Sequence, residues 1–451
     1  MKTHRTAVLA AGAILLTLSV QRTIHAQQKI SSVDRDRAEE ILRDVRDDVK
    51  KHYYDGKYRG VDLDARYKVY DEKIKQAQSL GEAFRDIAAY LSGLQDSHTF
   101  FEPPERSSRF DYGVSFEIIG DSAYVTELRP GSDAASRLHI GDQILGINGY
   151  KVNRKDFEDL YYYLYQLSPQ TALIMDLRDP SGNVRKETVK TRFQARKKII
   201  DEVGPESDTS LWDYTRQVEL EEHLMRERWY DMGDIMIWKM PGFEMDEGVV
   251  NDMYGRARKH KALILDLRGN PGGAIITLKQ ALGYLFDHDV TIATRVTRKP
   301  EKPEIAKGRG SDAFMGKLIV LIDSDSDSCS ELFARMVQLE HRGTIVGDQS
   351  AGAVMESRFY PHQFEVNPDM ESNVQIPYGT SVTYANLIMP DGKSLEGVGV
   401  TPDVVVLPTG ADLAAGRDPA LAKAAELAGI KLDPAAAGKL FPFEWAPFSA
   451  E

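Results

Sequence analysis

Hydrophobic positions follow two different rhythms along this chain. Across residues 33–54, and again across residues 80–94, apolar side chains recur at helical spacing, so residues 32–95 predict a helical region. Pro103-Pro104 punctuates its end. Further on the rhythm changes to short unbroken apolar runs, each followed by an amphipathic stretch. Residues 234–240, 263–265 and 318–322 read as buried strands, and residues 275–285 and 331–339 read as helices. This alternation over residues 211–408 predicts an α/β core. Residues 194–210 are polar and read as a linker. Residues 295–310 are locally basic, contain Pro300, Pro303 and Gly308, and read as a solvated loop. After Pro408 the chain turns Ala-rich, with a helix expected over residues 419–427. The aromatic and Pro-rich residues 441–451 are suited to docking on a surface. No internal repeat interrupts this order.

Two junctions within the α/β region carry candidate chemistry. The strand at 318–322 continues through Asp323-Ser324-Asp325-Ser326-Asp327-Ser328-Cys329-Ser330-Glu331 into a helical pattern. Ser328 therefore stands at a strand-to-helix junction, where helix N-terminal N–H groups can stabilise developing negative charge. With a base, such a serine is a nucleophile. Without one it is a helix cap, and Ser328 and Glu331 have the spacing of a capping box. The second junction is Asp266-Leu267-Arg268-Gly269-Asn270-Pro271-Gly272-Gly273-Ala274. Its glycines let backbone approach a ligand and can expose N–H groups. No Gly-Lys-Ser/Thr follows, so it is not a Walker phosphate loop.

Composition bounds the rest. The 451 residues allow two or three domains, and 42% hydrophobic with 28% charged residues is ordinary globular material. The formal net charge is −12 and no basic stripe stands out, which argues against a nucleic-acid partner. Residues 1–26 read as a secretory signal, with Lys2 and Arg5 in the n-region, an apolar stretch over 7–20, and Ile24-His25-Ala26 as a cleavage site. Cleavage would remove three basic and no acidic residues, taking the charge from −12 to −15. The apolar run is short for a membrane span of about 20 residues. The expectation is an exported protein, periplasmic or extracellular, without a stable membrane span; an uncleaved anchor is the alternative. Cys329 is the sole cysteine, so no intramolecular disulfide is possible. Its place beside Ser328 keeps a cysteine nucleophile open. No cluster has metal-ligand spacing, and no metal or cofactor is expected.

Together the two junctions resemble the core of one serine peptidase family, that of the C-terminal processing proteases and the tricorn core (family S41). Its pattern has Asp-Leu-Arg-x-Asn-x-Gly-Gly after one strand and Ser-x-Ser-Glu after a later one. The resemblance continues in Gly343-Thr344-Ile345-Val346-Gly347-Asp348-Gln349-Ser350-Ala351-Gly352 and in Gly397-Val398-Gly399-Val400-Thr401-Pro402-Asp403, and spans about residues 35–407. Leu94-Gln95-Asp96-Ser97-His98-Thr99 looks like the histidine motif of the tricorn-like branch. In the processing-protease branch a lysine is the base; the position matching it here is Ala353, and no lysine lies between Ser328 and Lys393. The resemblance thus implies Ser328 as nucleophile and His98 as base. It also implies Glu396 as the residue that orients His98, with Ser97 assisting by a hydrogen bond. The oxyanion would be held by the N–H groups of Gly273 and Cys329. The fold implied for the core is a ClpP/crotonase-like α/β architecture.

Residues 108–193 resemble a PDZ domain. Tyr112-Gly113-Val114-Ser115-Phe116 looks like the loop that binds a peptide carboxylate through backbone N–H groups, and Ile140-Gly141-Asp142-Gln143-Ile144-Leu145-Gly146-Ile147-Asn148-Gly149 is equally characteristic. PDZ domains bind extended peptides by strand addition. The expected organisation is a signal peptide (1–26), an N-terminal helical region (27–107), the PDZ-like β-rich domain (108–193), the catalytic core (194–410) and a C-terminal tail (411–451). The expected function is a serine endopeptidase of Ser–His type acting on protein or peptide substrates, aided by PDZ capture. The rivals are a non-catalytic peptide-binding protein and a Ser–Lys processing protease.

Overall fold

The computed structural model describes residues 29–106, 108–195, 223–224, 226–366, 374–446 and 448. The signal-like residues 1–26, and the expected linker beyond residue 195, lie outside the described residues. The chain is a mixed α and β molecule, built from a helical N-terminal region, a β-rich PDZ-like domain and an α/β core.

The N-terminal region contains α1 (Ser32–His52), α2 (Leu63–Gln76) and α3 (Leu80–Ser92). Side chains of Ser31 and Ser79 cap α1 and α3, accepting from the amides of Asp34 and Glu82. α1 buries Ala38, Ile41, Leu42, Val45 and Val49, the three- and four-residue spacing that its pattern predicts. α2 buries only Leu63 and Ile74, so its apolar face is faint in the sequence. After α3 the chain turns through residues 93–99 into the short strand β1 (Phe100–Glu102).

The PDZ-like domain follows with β2 (Ser108–Asp111), β3 (Val114–Ile119), β4 (Ser122–Leu128), β5 (Gln143–Ile147), β6 (Tyr150–Lys151), α4 (Arg154–Tyr162), β7 (Ala172–Arg178), β8 (Val184–Lys190) and β9 (Arg192–Ala195). Its main sheet has the order β3-β4-β5-β7-β8, which leaves β3 as an outer strand. Val114, Phe116, Val125, Ile144, Leu173 and Met175 form its core with Phe157 and Leu160 of α4.

The core comprises β10 (Arg228–Met232), β11 (Ile235–Lys239), α5 (Glu247–Ala257), β12 (Ala262–Asp266), α6 (Ile275–Gly283), β13 (Val290–Val296), β14 (Pro300–Ala306), β15 (Lys317–Ile322), α7 (Cys329–Leu339), β16 (Thr344–Gly347), β17 (Met355–Val366), β18 (Val374–Ile388), β19 (Val404–Val405) and α8 (Pro419–Ala428). One sheet has the order β10-β11-β12-β15-β16-β19, parallel from β11 onward. β11, β12, β15 and β16 are buried on both faces, which is why they read as apolar runs, whereas the edge strand β10 is largely exposed. Leu263, Leu265, Leu318, Val320 and Ile322 face α5, α6 and α7. The alternate residues Ile264, Ile319 and Leu321 pack with Ala420, Leu421, Ala424 and Ala425 of α8. The Ala-rich segment after Pro408 is therefore a second helical layer of the core, with small side chains that allow close packing.

A second sheet, β1-β18-β13-β14 with β17 on β18, joins the N-terminal region to the core. Phe101, Tyr378 and Val382 enter the cluster formed by α1 and α3. Here the solvated loop expected over 295–310 is corrected. Residues Pro300–Ala306 form β14, paired antiparallel with β13. Prolines are tolerated because β14 is an edge strand, and Arg295 is held by Glu356 at 2.6 Å and by Glu304 instead of by water.

Candidate functional site

β12 and β15 are parallel neighbours, so the loops at their carboxyl ends lie side by side. Buried Asn270 stitches them together. Its Nδ2 donates to Met240 O (3.0 Å), while its Oδ1 accepts from Gly272 N–H (2.9 Å) and Ser330 Oγ (2.8 Å). Gly272 has φ 87, and a Cβ there would stand 2.7 Å from Ser328 Cβ and 2.9 Å from Cys329 N. Only glycine permits this approach.

Ser328 is half-buried between the buried Asp327 and Cys329. Its backbone has φ 53 and ψ −113, a strained conformation for a residue with a side chain. Strain of this kind costs on the order of 1–3 kcal/mol and persists where surroundings over-determine it. Ser328 N–H lies 3.1 Å from Ala353 O and 3.1 Å from Glu331 Oε2. Buried Glu331 also accepts from Ser350 Oγ and Gly352 N–H (both 2.6 Å) and from Ala353 N–H (2.8 Å). From the sequence Glu331 reads only as half of a capping box. In the structure it fastens the turn at 350–353 to the start of α7.

Among the described residues, neither Gly273 N–H nor Cys329 N–H donates to a protein oxygen. Cys329 is the first residue of α7, whose opening amides have no partner within the helix. Its thiol is buried, with Sγ 3.2 Å from Gly273 O, and burial pushes its pKa up to about 12. A buried thiol held in that form is a poor nucleophile near neutrality, which weighs against the cysteine-nucleophile alternative.

His98 lies between α3 and β1 in a turn organised by Asp96. Asp96 Oδ1 accepts from the amides of His98 and Thr99 (both 3.0 Å) and from Thr383 Oγ1 (2.6 Å), and Oδ2 accepts from Tyr53 OH (2.9 Å). The short polar side chain bonds the backbone two and three residues on, which holds the turn. His98 is 5% exposed. Burial lowers its pKa to about 4 despite the neighbouring Asp96 charge, so the imidazole is neutral at physiological pH.

Ser97 Oγ is 2.7 Å from His98 Nδ1 and 2.8 Å from Glu396 Oε2. Glu396 also accepts from Ser97 N–H (2.8 Å) and Val354 N–H (2.9 Å). Glu396 thus reaches His98 through the serine hydroxyl. Burial, then the Asp96 charge, raises the Glu396 pKa to about 7. A hydroxyl has one proton to donate. Given to an ionised Glu396, it leaves Ser97 Oγ to accept from His98 Nδ1–H, and His98 Nε2 then carries the lone pair.

The adjacent residues Ala353 and Val354 tie the two halves together: one accepts from Ser328 N–H and the other donates to Glu396. Among the described residues no hydrogen bond joins Ser328 Oγ to His98, and no lysine hydrogen-bonds Ser328. Sequence reasoning missed the roles of Asp96, Asn270 and Glu331. Each lies within a quoted motif, but beside its local bonds each has partners distant in sequence: Tyr53 and Thr383 for Asp96, Met240 and Ser330 for Asn270, and the turn at 350–353 for Glu331.

In the PDZ-like domain, the expected carboxylate loop opens onto the outer strand β3. The side chains of Val114 and Phe116 are buried and Ser115 is half-buried. The Gly113 amide donates to Asp111 Oδ1 at 2.8 Å, so this one of the expected donors is already engaged. The far half of β3 meets the loop leading to Ser328, where Ser324 Oγ donates to Ile118 O at 2.7 Å. Glu117 is held well above the usual carboxylate range by burial and by Asp323 and Asp325, with Arg268 and Lys239 opposing. Arg154 adds bonds to Gln349 O (2.9 Å) and Asp348 across the same seam.

Among the described residues, no group of three or more His, Cys, Asp or Glu side chains is placed to hold a metal ion. Likewise, no helix there is long and apolar enough to cross a membrane.

Comparison with known proteins places the core and the β-rich domain among known families. Residues 233–406 match the family model of peptidase family S41, and residues 104–159 match that of the PDZ domain. The chain is 30% identical over 148 residues to a carboxy-terminal-processing protease of Bartonella bacilliformis, covering 33% of this chain and 31% of that protein. It is 26% identical over 343 residues to the tail-specific protease of Haemophilus influenzae, covering 70% and 45%. The chain therefore spans less than half the length of these two relatives. Mature CPAF complexed with lactacystin has a similar fold, with a TM-score of 0.60 at 16% identity over 85% of this chain and 96% of that one. Residues 233–406 of this chain thus belong to peptidase family S41, and a PDZ domain precedes them.

Proposed function

We propose that this protein is an exported serine endopeptidase of Ser–His type. The observation that carries the proposal is the series Glu396–Ser97–His98, whose single hydroxyl proton leaves Nε2 as the basic nitrogen of a neutral imidazole. Ser328 attacks the peptide carbonyl, and His98 takes its proton and later gives it to the leaving amine. Glu396, through Ser97, fixes the tautomer and stabilises the imidazolium that forms. The amides of Gly273 and Cys329 receive the oxyanion; one such donor is typically worth roughly 3–4 kcal/mol in the transition state. Proton transfer needs Ser328 Oγ within hydrogen-bond reach of Nε2, so closing that gap is part of the catalytic cycle. The PDZ domain presents β3 to an extended peptide, and those amides of the stretch Val114 to Phe116 that face away from β4 meet a substrate's free carboxylate. Export rests on the signal-like residues 1–26.

The absent Ser328–His98 hydrogen bond favours a second reading, a peptide-binding protein that has lost chemistry. A fluorophosphonate probe separates the two. The peptidase reading expects wild type to be labelled at Ser328, and Ser328→Ala and His98→Ala to remain unlabelled. An unlabelled wild type that still binds C-terminal peptides would overturn it.

A further inference from the structure

A stripe of arginines crosses from the PDZ domain to the core, and residues near the C-terminus lie along it. On the PDZ side Arg129, just after β4, and Arg192, in β9, pair with Asp111 at 2.8 and 2.9 Å. On the core side stand Arg226 and Arg228, the latter opening β10. Phe441 packs on Tyr230 with ring centroids 5.2 Å apart, and Pro442 O accepts from Arg228 Nη1 at 2.8 Å. Glu444 makes a two-point ion pair with Arg226 at 2.8 and 3.0 Å. Trp445 lies 4.5 Å from the Arg129 guanidinium, Ala446 O accepts from Arg129 Nη1 at 2.8 Å, and Phe448 lies 5.0 Å from Arg192. A cavity of about 350 Å³ lies between these C-terminal residues and the core, lined by Arg226, Arg228, Trp229 and Tyr230 on the core side and by Leu440, Pro442 and Glu444 on the other.

We propose that this arginine stripe is an interaction surface for an aromatic and acidic segment, occupied here by residues 441–446 and 448, and that the segment is a strap setting the pose of the PDZ domain on the core. The chemistry matches: planar guanidinium groups stack on aromatic faces and take a carboxylate in two-point fashion. A lone exposed ion pair contributes little, but here successive residues of one segment engage four arginines on two domains. The strap also reaches the peptide loop. Asp111, which anchors both PDZ arginines, accepts from Gly113 N–H, and Arg129 N–H donates to Gly113 O at 2.9 Å. Nothing here depends on Ser328 being a nucleophile.

The test uses a fluorescent peptide spanning residues 441–448 and protein shortened after Leu440. The peptide is expected to bind the shortened protein saturably, more weakly as salt rises, and to leave the full-length protein unbound. In full-length protein, Glu444→Arg is expected to speed hydrogen exchange in β9 and β10 severalfold, and the swap Arg226→Glu with Glu444→Arg to restore it. The proposal fails if the peptide binds both forms alike or neither. It also fails if Glu444→Arg leaves exchange unchanged, a result that stands even if the shortened protein does not fold.

Discussion

At Ser328 a left-handed backbone and the candidate nucleophile fall on the same residue. The φ of 53 is affordable only because Glu331, Ala353 and the closely packed Gly272 hold it. Ser328→Ala and Ser328→Gly should both lose labelling and cleavage. Glycine relieves strain of about 1–3 kcal/mol while adding roughly 0.5–1 kcal/mol of unfolded-state entropy. The glycine variant should therefore melt higher than the alanine variant in calorimetry; the reverse order would mean the turn is unstrained. Titration of the proton-handling residues sets the pH profile. His98, lowered to about 4, stays neutral until pH falls through that value, whereas Glu396, raised to about 7, ionises only as pH rises through it. The labelling rate at Ser328 should climb through about pH 7 as Glu396 becomes the acceptor for Ser97, and vanish below about pH 4 as Nε2 takes a proton. In Glu396→Gln the step near neutrality should disappear. A single step at the ordinary histidine value would contradict this assignment.

At the level of elements, the strand-turn-helix units were legible because both their strands and their helices are buried by regular patterns. The unbroken runs of β12 and β15, and the glycine turn after β12, state their own geometry. β14 was not legible, since its prolines signal a loop and only its edge position makes them harmless. Nor were β17 and β18 legible as the partners of β1, because Phe100 pairs with Ser381, which no local signal announces. Of the candidate site, Ser328, His98, Ser97 and Glu396 could be named from motifs. Their connection through Ala353 and Val354 could not, because backbone bonds leave no residue-type signature. Gly272→Ala tests how closely the two loops are matched. Its Cβ would sit 2.7 Å from Ser328 Cβ at a φ of 87. The expected result is a lower melting temperature together with labelling reduced far more than in Gly269→Ala, where nothing lies within 4 Å. Glu331→Ala should be among the most destabilising single changes, since each donor stranded in the interior costs roughly 1–3 kcal/mol. Thermal unfolding of that variant at wild-type temperature would show the turn at 350–353 to be held by other means.

Across the whole molecule, the outer strand β3 touches both a candidate peptide loop and the approach to Ser328. Peptides with a free apolar C-terminus should be cleaved faster than the same peptides amidated. A lost charge-assisted hydrogen bond of roughly 1.5–3 kcal/mol corresponds to about tenfold or more in affinity. Equal rates for both peptides would reduce the PDZ domain to a spacer. The hydrogen bond from Ser97 to Glu396 closes a separation of 299 positions, with Ser328 in between. A chain emerging from its amino end presents His98 first, Ser328 much later and Glu396 after that. Contacts so distant in sequence form slowly, after most of the chain has organised. On the proposed Ser–His reading, the site is therefore completed in one late event. On that reading, a chain that has not yet emerged past Glu396 lacks a complete site.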